Sequence, residues 1–417
     1  MQPESRVARR LAPFGTTIFT EMTRLAVQHG AINLAQGFPD FDGPEFAKEA
    51  AIAAVRAGKS QYARMLGDPV LNRAIAAHWR RRAGADIDPD TNVSVTSGCT
   101  EAIAATFLGL INPGDKVVLF EPYYDSYRAC VALAGGEPVF VPLTPPEGVR
   151  DGERRGTRGG AIVDRAFSFD EQALRRAFAA RPRAIVLNTP HNPTGKVYTH
   201  AELALIASLC VEHDVLAITD EVYEFLTYDD ALPHLRLATY PGMWERTVTL
   251  SSIGKTFSLT GWKIGWAIAD AALIRAVRAA HQFLTFATAT PLQHAAAAAL
   301  EHGDEYIAGL RADFVRKRDF LGEVLAELGM TVFRPHGTYF IMADHSGLNL
   351  PAEARRDDRS FCEFLTREVR VAAIPPSVFY DTPSLGKSLA RFAFCKNQTT
   401  LDEASARLRA GIGIRSV

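Results

Sequence analysis

From about residue 90 onward, short runs of Val, Ile and Leu with no polar alternation recur between longer stretches of helical periodicity. A strand that is apolar on both faces has to be covered on both faces, so this pattern calls for a mostly parallel sheet wrapped in helices, an α/β fold. Strands are expected at residues 91–97, 116–120, 184–187, 215–219 and 247–250, with helices at 100–110 and 201–214. An Ala-rich helix at 292–302 and another after Glu305 lead to a second region, where 337–342 and 389–395 read as strands of a smaller α+β unit. A chain of 417 residues is long enough for two such bodies. Residues 145–164 carry Gly, Arg, Pro and acidic side chains with almost nothing apolar, and are expected to be a solvated, mobile insertion.

Composition removes several classes of function. The formal net charge is −1, without the basic excess that a phosphate backbone or an anionic membrane surface requires. Arg6, Arg9 and Arg10 are followed by no apolar run, and no stretch is long enough to span a bilayer. The five cysteines are scattered and form no Cys-x-x-Cys pair. A disulfide framework or a metal site is therefore not expected, and a reducing, cytoplasmic setting is.

Four strand-to-loop junctions carry chemistry. In Ser251-Ser-Ile-Gly-Lys-Thr-Phe-Ser258, Lys255 follows a strand in a polar, glycine-containing loop, the placement a nucleophilic lysine needs. Lys263, eight positions on, can neutralise a phosphate. In Thr219-Asp220-Glu-Val-Tyr223, Asp220 ends the most apolar strand, where open α/β sheets bind ligands. A carboxylate there can keep a pyridinium nitrogen protonated, and Tyr223 can reach the ring's phenolic oxygen. Asn188-Thr-Pro-His-Asn-Pro-Thr-Gly195 is a stiff loop that fixes an amide beside a ring. Thr96-Ser-Gly-Cys-Thr-Glu101 turns a strand into a helix whose first N–H groups suit a phosphate. Each motif alone is ordinary; together they supply the parts of a phosphorylated-pyridine site.

These blocks, with Asn33-Leu-Ala-Gln-Gly-Phe-Pro-Asp40, Gln61-Tyr62, Glu121-Pro-Tyr-Tyr-Asp-Ser-Tyr127 and Arg391-Phe-Ala-Phe-Cys-Lys396, resemble the class I/II aminotransferases of fold type I over residues 11–408. The likeness is to the branch holding kynurenine aminotransferase, glutamine transaminase K and methionine aminotransferase. The resemblance implies a large domain at 45–290 with a mostly parallel seven-stranded sheet. It also implies a small domain from 30–44 and 291–417, and an N-terminal arm at 1–29. The implied cofactor is pyridoxal 5′-phosphate, held covalently by Lys255, which later moves a proton between Cα and C4′. Asp220 would pair with the pyridine nitrogen, and Asn192 and Tyr223 would bind O3′. Ser252, Lys263 and the amides of Cys99 and Thr100 would hold the phosphate, with Tyr124 stacked on the ring. Tyr62 would reach the phosphate of a neighbouring subunit, which implies a homodimer with shared sites. Arg391 and Asn192 would grip the substrate carboxylate close to Gly37, Arg391 as a bidentate fork.

The implied reaction is ping-pong transfer of an amino group from glutamine, methionine or aromatic amino acids, kynurenine included, to a 2-oxo acid. N-succinyl-diaminopimelate transamination and β-elimination from cysteine conjugates are the rivals. Phe19, Tyr124 and, from the partner subunit, Phe286 would line the side-chain pocket, with no second arginine placed to read a distal carboxylate. Thr100 and Ala287 depart from the kynurenine type, which carries an aromatic and a His at these places. Cis geometry is expected at Glu121–Pro122 and Asn192–Pro193.

Overall fold

The computed structural model describes residues 7–148, 154–155 and 159–413. Its large sheet has eight strands in the order Val93–Thr96, Gly265–Ala269, Thr247–Ser252, Leu216–Asp220, Ala184–Asn188, Lys116–Glu121, Glu137–Thr144, Ser168–Phe169. The sheet is expected to be mostly parallel. Gly265–Ala269 in fact runs antiparallel to both its neighbours, and the other pairings from Thr247–Ser252 through Glu137–Thr144 are parallel. The expected count of seven is met by the longer strands, and the two-residue Ser168–Phe169 adds an antiparallel eighth at the edge. Every residue of the five strands from Val93–Thr96 to Ala184–Asn188 is buried, as a sheet covered on both faces requires.

Strand registers bring the functional junctions to one edge. Ser252 stands opposite Gly265, which stands opposite Thr96. Leu250 aligns with Asp220, and Asp220 with Asn188. The loops after Thr96, Asn188, Asp220 and Ser252 therefore all open on the carboxyl edge of the parallel strands.

A second sheet runs Leu389–Ala393, Phe340–Asp344, Thr331–Phe333, Ala161–Val163, Arg154–Arg155. Its core also takes in Ile18, Met22 and Leu25 from the helix Ile18–His29, and Phe314 and Leu321 from the helix Asp304–Glu327. Most of the described part of the N-terminal arm is thus a helix, started by the Thr17 side chain accepting from the Thr20 amide, rather than a loose extension. Helix Thr290–His302 shares a core with Ala47, Leu71 and Ala74 of the helices Glu45–Arg56 and Pro69–Ala83. It packs on the large-sheet side, so the chain leaves that body nearer residue 303 than 290.

The 145–164 segment departs from expectation at its C-terminal end. Ala161–Val163 pairs parallel with Thr331–Phe333, and Ala161 and Val163 are buried. Residues 149–153 and 156–158 lie outside the described residues. Three apolar residues beside a Gly-rich stretch are too short a run to stand out as a strand, and only the partner strand makes them one. The peptide bonds Glu121–Pro122 and Asn192–Pro193 are cis, as is Thr189–Pro190. Among the described residues, no helix is long and apolar enough to cross a membrane, and no cluster of metal-ligating side chains occurs.

Candidate active site

The strand edge encloses a cavity of about 240 Å³ lined by Cys99, Thr100, Tyr124, Asn192, Asp220, Tyr223, Ser252, Lys255 and Lys263 among others. All nine were singled out from sequence. Six more side chains lining it were not: Ile103, Tyr127, Asn188, Val222, Thr260 and Ile264.

Lys255 sits one turn past the buried strand Thr247–Ser252. Its ammonium meets the Gly37 carbonyl at 3.5 Å, and burial pushes its pKa down. An amine whose neutral form is favoured in this way is a better nucleophile and base. At the far wall, Asp220 Oδ2 accepts from the Tyr127 hydroxyl at 2.7 Å, and Oδ1 accepts from the Val222 amide at 3.3 Å and the Cys99 thiol at 3.6 Å. Burial raises the Asp220 carboxyl, outweighing these three donors and nearby Lys255. A buried carboxylate in need of a cationic partner suits a ring nitrogen that carries a proton.

Buried charge fixes the turn that carries Asp220 and Tyr223. Arg236 bridges Glu221 and Glu224, both buried. Glu221 also meets His234, and Glu224 meets His78, each at 2.9 Å, while the Ser251 hydroxyl donates to Glu224 at 2.9 Å. Burial works to raise the Glu224 carboxyl, but Arg236 and His78 outweigh it and hold it well below its usual range. On the other side, the Asn188 amide donates to the Asp220 carbonyl at 2.9 Å, and its Oδ1 accepts the Asn192 amide at 2.7 Å. These are positioning residues, legible only as a charged tripeptide after a strand and a distant arginine.

The other end of the cavity is built for an anion. Helix Gly98–Leu110 begins there with no side chain capping its first amides, so the N–H groups and helix dipole face the cavity. A Cβ at Gly265 would lie 2.6 Å from the Cys99 nitrogen, and one at Gly98 would lie 3.1 Å from the Lys263 ammonium. Gly98 and Lys263 both have positive φ. The two glycines let the turn close on the strand and bring Lys263 beside it. With the hydroxyls of Ser252 and Thr260, this cradle fits a phosphate.

Arg391 is fully buried, and burial lowers it to about 10. Its guanidinium lies 4.1 Å from the Phe340 ring centre, 5.3 Å from Phe379 and 5.4 Å from Phe19. It donates to Asn192 Oδ1 and to the Ala35 carbonyl, both at 3.0 Å, and its Nε has no partner. Gly37 stands close because a Cβ there would run into the Phe340 ring. Tyr62 and Phe286 lie outside the cavity, 85% and 44% exposed, with their rings edge to face at 5.6 Å. Two further arginines, Arg128 and Arg359, line a separate cavity whose wall includes Phe379.

The family profile described as aminotransferase class I and II matches residues 29–408. The chain belongs to this family. It is an enzyme of the aminotransferase kind, with the pyridoxal-phosphate fold type I, and its family depends on that cofactor. A probable N-succinyldiaminopimelate aminotransferase of Mycobacterium tuberculosis is 48% identical over 408 residues, covering 96% of this chain and 97% of that protein. A solved structure of the N-succinyldiaminopimelate aminotransferase from that organism superposes with a TM-score of 0.88, covering 97% of this chain and 99% of that one at 47% identity. Methionine aminotransferase of Escherichia coli is 40% identical over 400 residues, covering 96% and 97%. Kynurenine–oxoglutarate transaminase 3 of Mus musculus is 38% identical over 417 residues, covering 97% and 90%. The aminotransferase therefore stands among relatives of differing donor preference.

Proposed function

We propose that this aminotransferase takes the amino group from methionine, glutamine or aromatic amino acids, kynurenine among them, and passes it to a 2-oxo acid by a ping-pong cycle. The observation that carries this reading is Arg391: a buried cation caged by three aromatic rings, bonded only to neutral groups, with Nε unpartnered. A desolvated guanidinium without a carboxylate is costly. An α-carboxylate would complete its fork, and the surrounding rings favour an apolar or amide side chain over a charged one.

Pyridoxal 5′-phosphate, bound through Lys255, supplies an electron-withdrawing ring that stabilises negative charge at the donor's Cα. Asp220 holds the proton on the pyridine nitrogen, with Tyr127 and the Val222 amide fixing the carboxylate's orientation. Tyr223 and Asn192 bind O3′, and Tyr124 covers the ring face. The amides of Cys99 and Thr100, with Ser252 and Lys263, hold the phosphate. Lys255, its amine favoured in the neutral form by burial, would be the base that moves the proton between Cα and C4′. Arg391 and Asn192 orient the donor so that this proton faces Lys255, near the Gly37 carbonyl. Tyr62 of the partner subunit and Phe286 of the partner subunit complete the phosphate site and the side-chain pocket of a homodimer. Their exposure on the single chain supports that reading.

A second reading, N-succinyl-diaminopimelate as donor, is favoured by the relative at 48% identity. Initial rates with a panel of donors against varied 2-oxo acid test both. Parallel double-reciprocal lines are expected, with kcat/KM for methionine, glutamine, phenylalanine or kynurenine above that for aspartate. Intersecting lines, or aspartate above all four, would overturn the proposal. N-succinyl-diaminopimelate above all four would install the second reading in its place.

A further inference from the structure

Beyond Phe379 lies a second cavity of about 430 Å³, larger than the one around Lys255. The two are neighbours along the chain as well as in space. Tyr124 lines the inner cavity and Asp125 the outer one. The Phe379 ring, 5.3 Å from the Arg391 guanidinium, forms part of the outer wall. Phe379 thus stands between the Arg391 guanidinium and this chamber, within reach of a long side chain on a donor gripped at its α-carboxylate.

The lining sets apolar side chains such as Phe14, Ile18 and Val378 beside charge of both signs, unlike the aromatic cage behind it. Residues Thr16, Thr17 and Ser126 offer hydroxyls, and Arg128 and Arg359 offer guanidinium groups. Existing partners leave those cations available. Arg128 meets Asp381 at 3.2 Å and Arg359 meets Glu21 at 3.5 Å, with both arginine side chains about half exposed. Exposed pairs of this kind contribute little, and each guanidinium has five N–H donors to share. Asp125 is different. Burial raises its carboxyl, the amides at its own helix start are its only hydrogen-bond donors, and no ion pair with it occurs among the described residues. It is an acceptor waiting for an N–H.

We propose that this chamber is a distal subsite for long amino donors whose side chain carries an amide and ends in a carboxylate, with Asp125 accepting the amide N–H and Arg128 and Arg359 holding the terminal carboxylate. The inference rests on the placement of the α-carboxylate at Arg391 set out above. It deepens that reading: short donors stop at the aromatic wall, and long acylated ones pass it. On this placement a short acidic donor should gain nothing, since an aspartate side chain would end inside the aromatic cage, short of either guanidinium.

The test compares three donors, N-succinyl-diaminopimelate, Nε-acetyl-lysine and methionine, on the parent enzyme and on Arg128→Ala, Arg359→Ala and the double variant. For the succinylated donor, kcat/KM should fall roughly ten- to hundred-fold in the double variant, mostly through KM, as expected for loss of charge-assisted hydrogen bonds. Methionine, which ends short of the chamber, should change less than about threefold, a scale too small for a direct contact, and its turnover also reports that the variants are folded. Nε-acetyl-lysine, with the amide but no terminal carboxylate, should follow methionine. Equal effects on all three donors, or none on any, would overturn the subsite. A parent enzyme that uses methionine but not the succinylated donor would overturn the subsite and leave the proposed function standing. Failure with every donor would remove both.

Discussion

A carboxylate inside a closed cavity is costly to ionise, and Asp220 is held there with its carboxyl raised by burial. A raised carboxyl means that the folded chain binds the proton more tightly than the unfolded one. Its favourable contribution is complete below the unfolded value and is lost as pH rises through the folded one. Near neutrality, then, Asp220 should weigh against the cofactor-free fold. Asp220→Asn should raise Tm of the cofactor-free protein and yet cut turnover of the loaded enzyme by about 100-fold or more, the scale of a lost proton-holding group. Equal turnover would remove the role given to Asp220. His191 has the opposite sign of linkage. Buried in the loop that carries Asn192 and bonded to the Thr194 hydroxyl at 2.8 Å, it is lowered to about 3. The unfolded chain takes up that proton near pH 6.5 and the folded one does not. Stability should therefore decline by about 1.4 kcal/mol for each unit that pH falls between 6.5 and about 3, and denaturant melts should show that slope flatten in His191→Gln. The residues that line the cavity at the strand edge were largely readable in the sequence because a lysine, a carboxylate or an amide after a strand has few other uses in this combination. Tyr127 was not: a tyrosine three positions past Tyr124 on an amphipathic helix looks like core, and only the fold aims its hydroxyl at Asp220.

At the scale of elements, the phosphate cradle depends on one close approach of turn to strand. Gly265→Ala would put a methyl group 2.6 Å from the Cys99 nitrogen and 2.9 Å from the Ser251 oxygen, contacts that backbone cannot absorb without moving. Cofactor affinity should fall by about tenfold or more, the scale of one or two lost amide hydrogen bonds to a charged group, and spectroscopic titration of the cofactor-free protein with pyridoxal 5′-phosphate would measure it. Unchanged affinity would show that the turn can retreat without cost. The same strand shows where element reading from sequence gives out. Gly265-Trp-Ala-Ile-Ala has little β-branched content and sits behind a loop motif, so periodicity offers no signal, although all five residues are buried. Glu137–Thr144 hides for another reason, two prolines within eight residues. Pro138 and Pro142 share one parity along the strand, and the sheet continues beyond it only at Leu143 and Thr144. Their missing N–H groups can face that open side, where a ladder loses nothing. The strands that did announce themselves were those with no freedom to be anything but apolar.

At the scale of the molecule, Tyr62, Phe283, Leu284 and Phe286 leave an apolar surface exposed on the single chain, the kind of patch that marks a partner. If the site is shared between two subunits, co-expressing Tyr62→Ala with Lys255→Ala should restore activity that neither has alone. Each mixed dimer then holds one intact site, so random pairing recovers up to about a quarter of the parent activity. No recovery in mixed dimers isolated with two affinity tags would show that each chain works by itself. The path of the chain has a consequence of its own. It leaves the large sheet at Thr144, adds Ala161–Val163 to the other sheet and comes back at Ser168–Phe169. Neither sheet can dissolve without dragging a strand out of its neighbour, so partial melting finds no seam to follow. Heating the protein in a calorimeter should therefore give a single endotherm whose van't Hoff and measured enthalpies, taken per cooperative unit, agree. Two resolved endotherms would mean that the shared strand is no stitch at all.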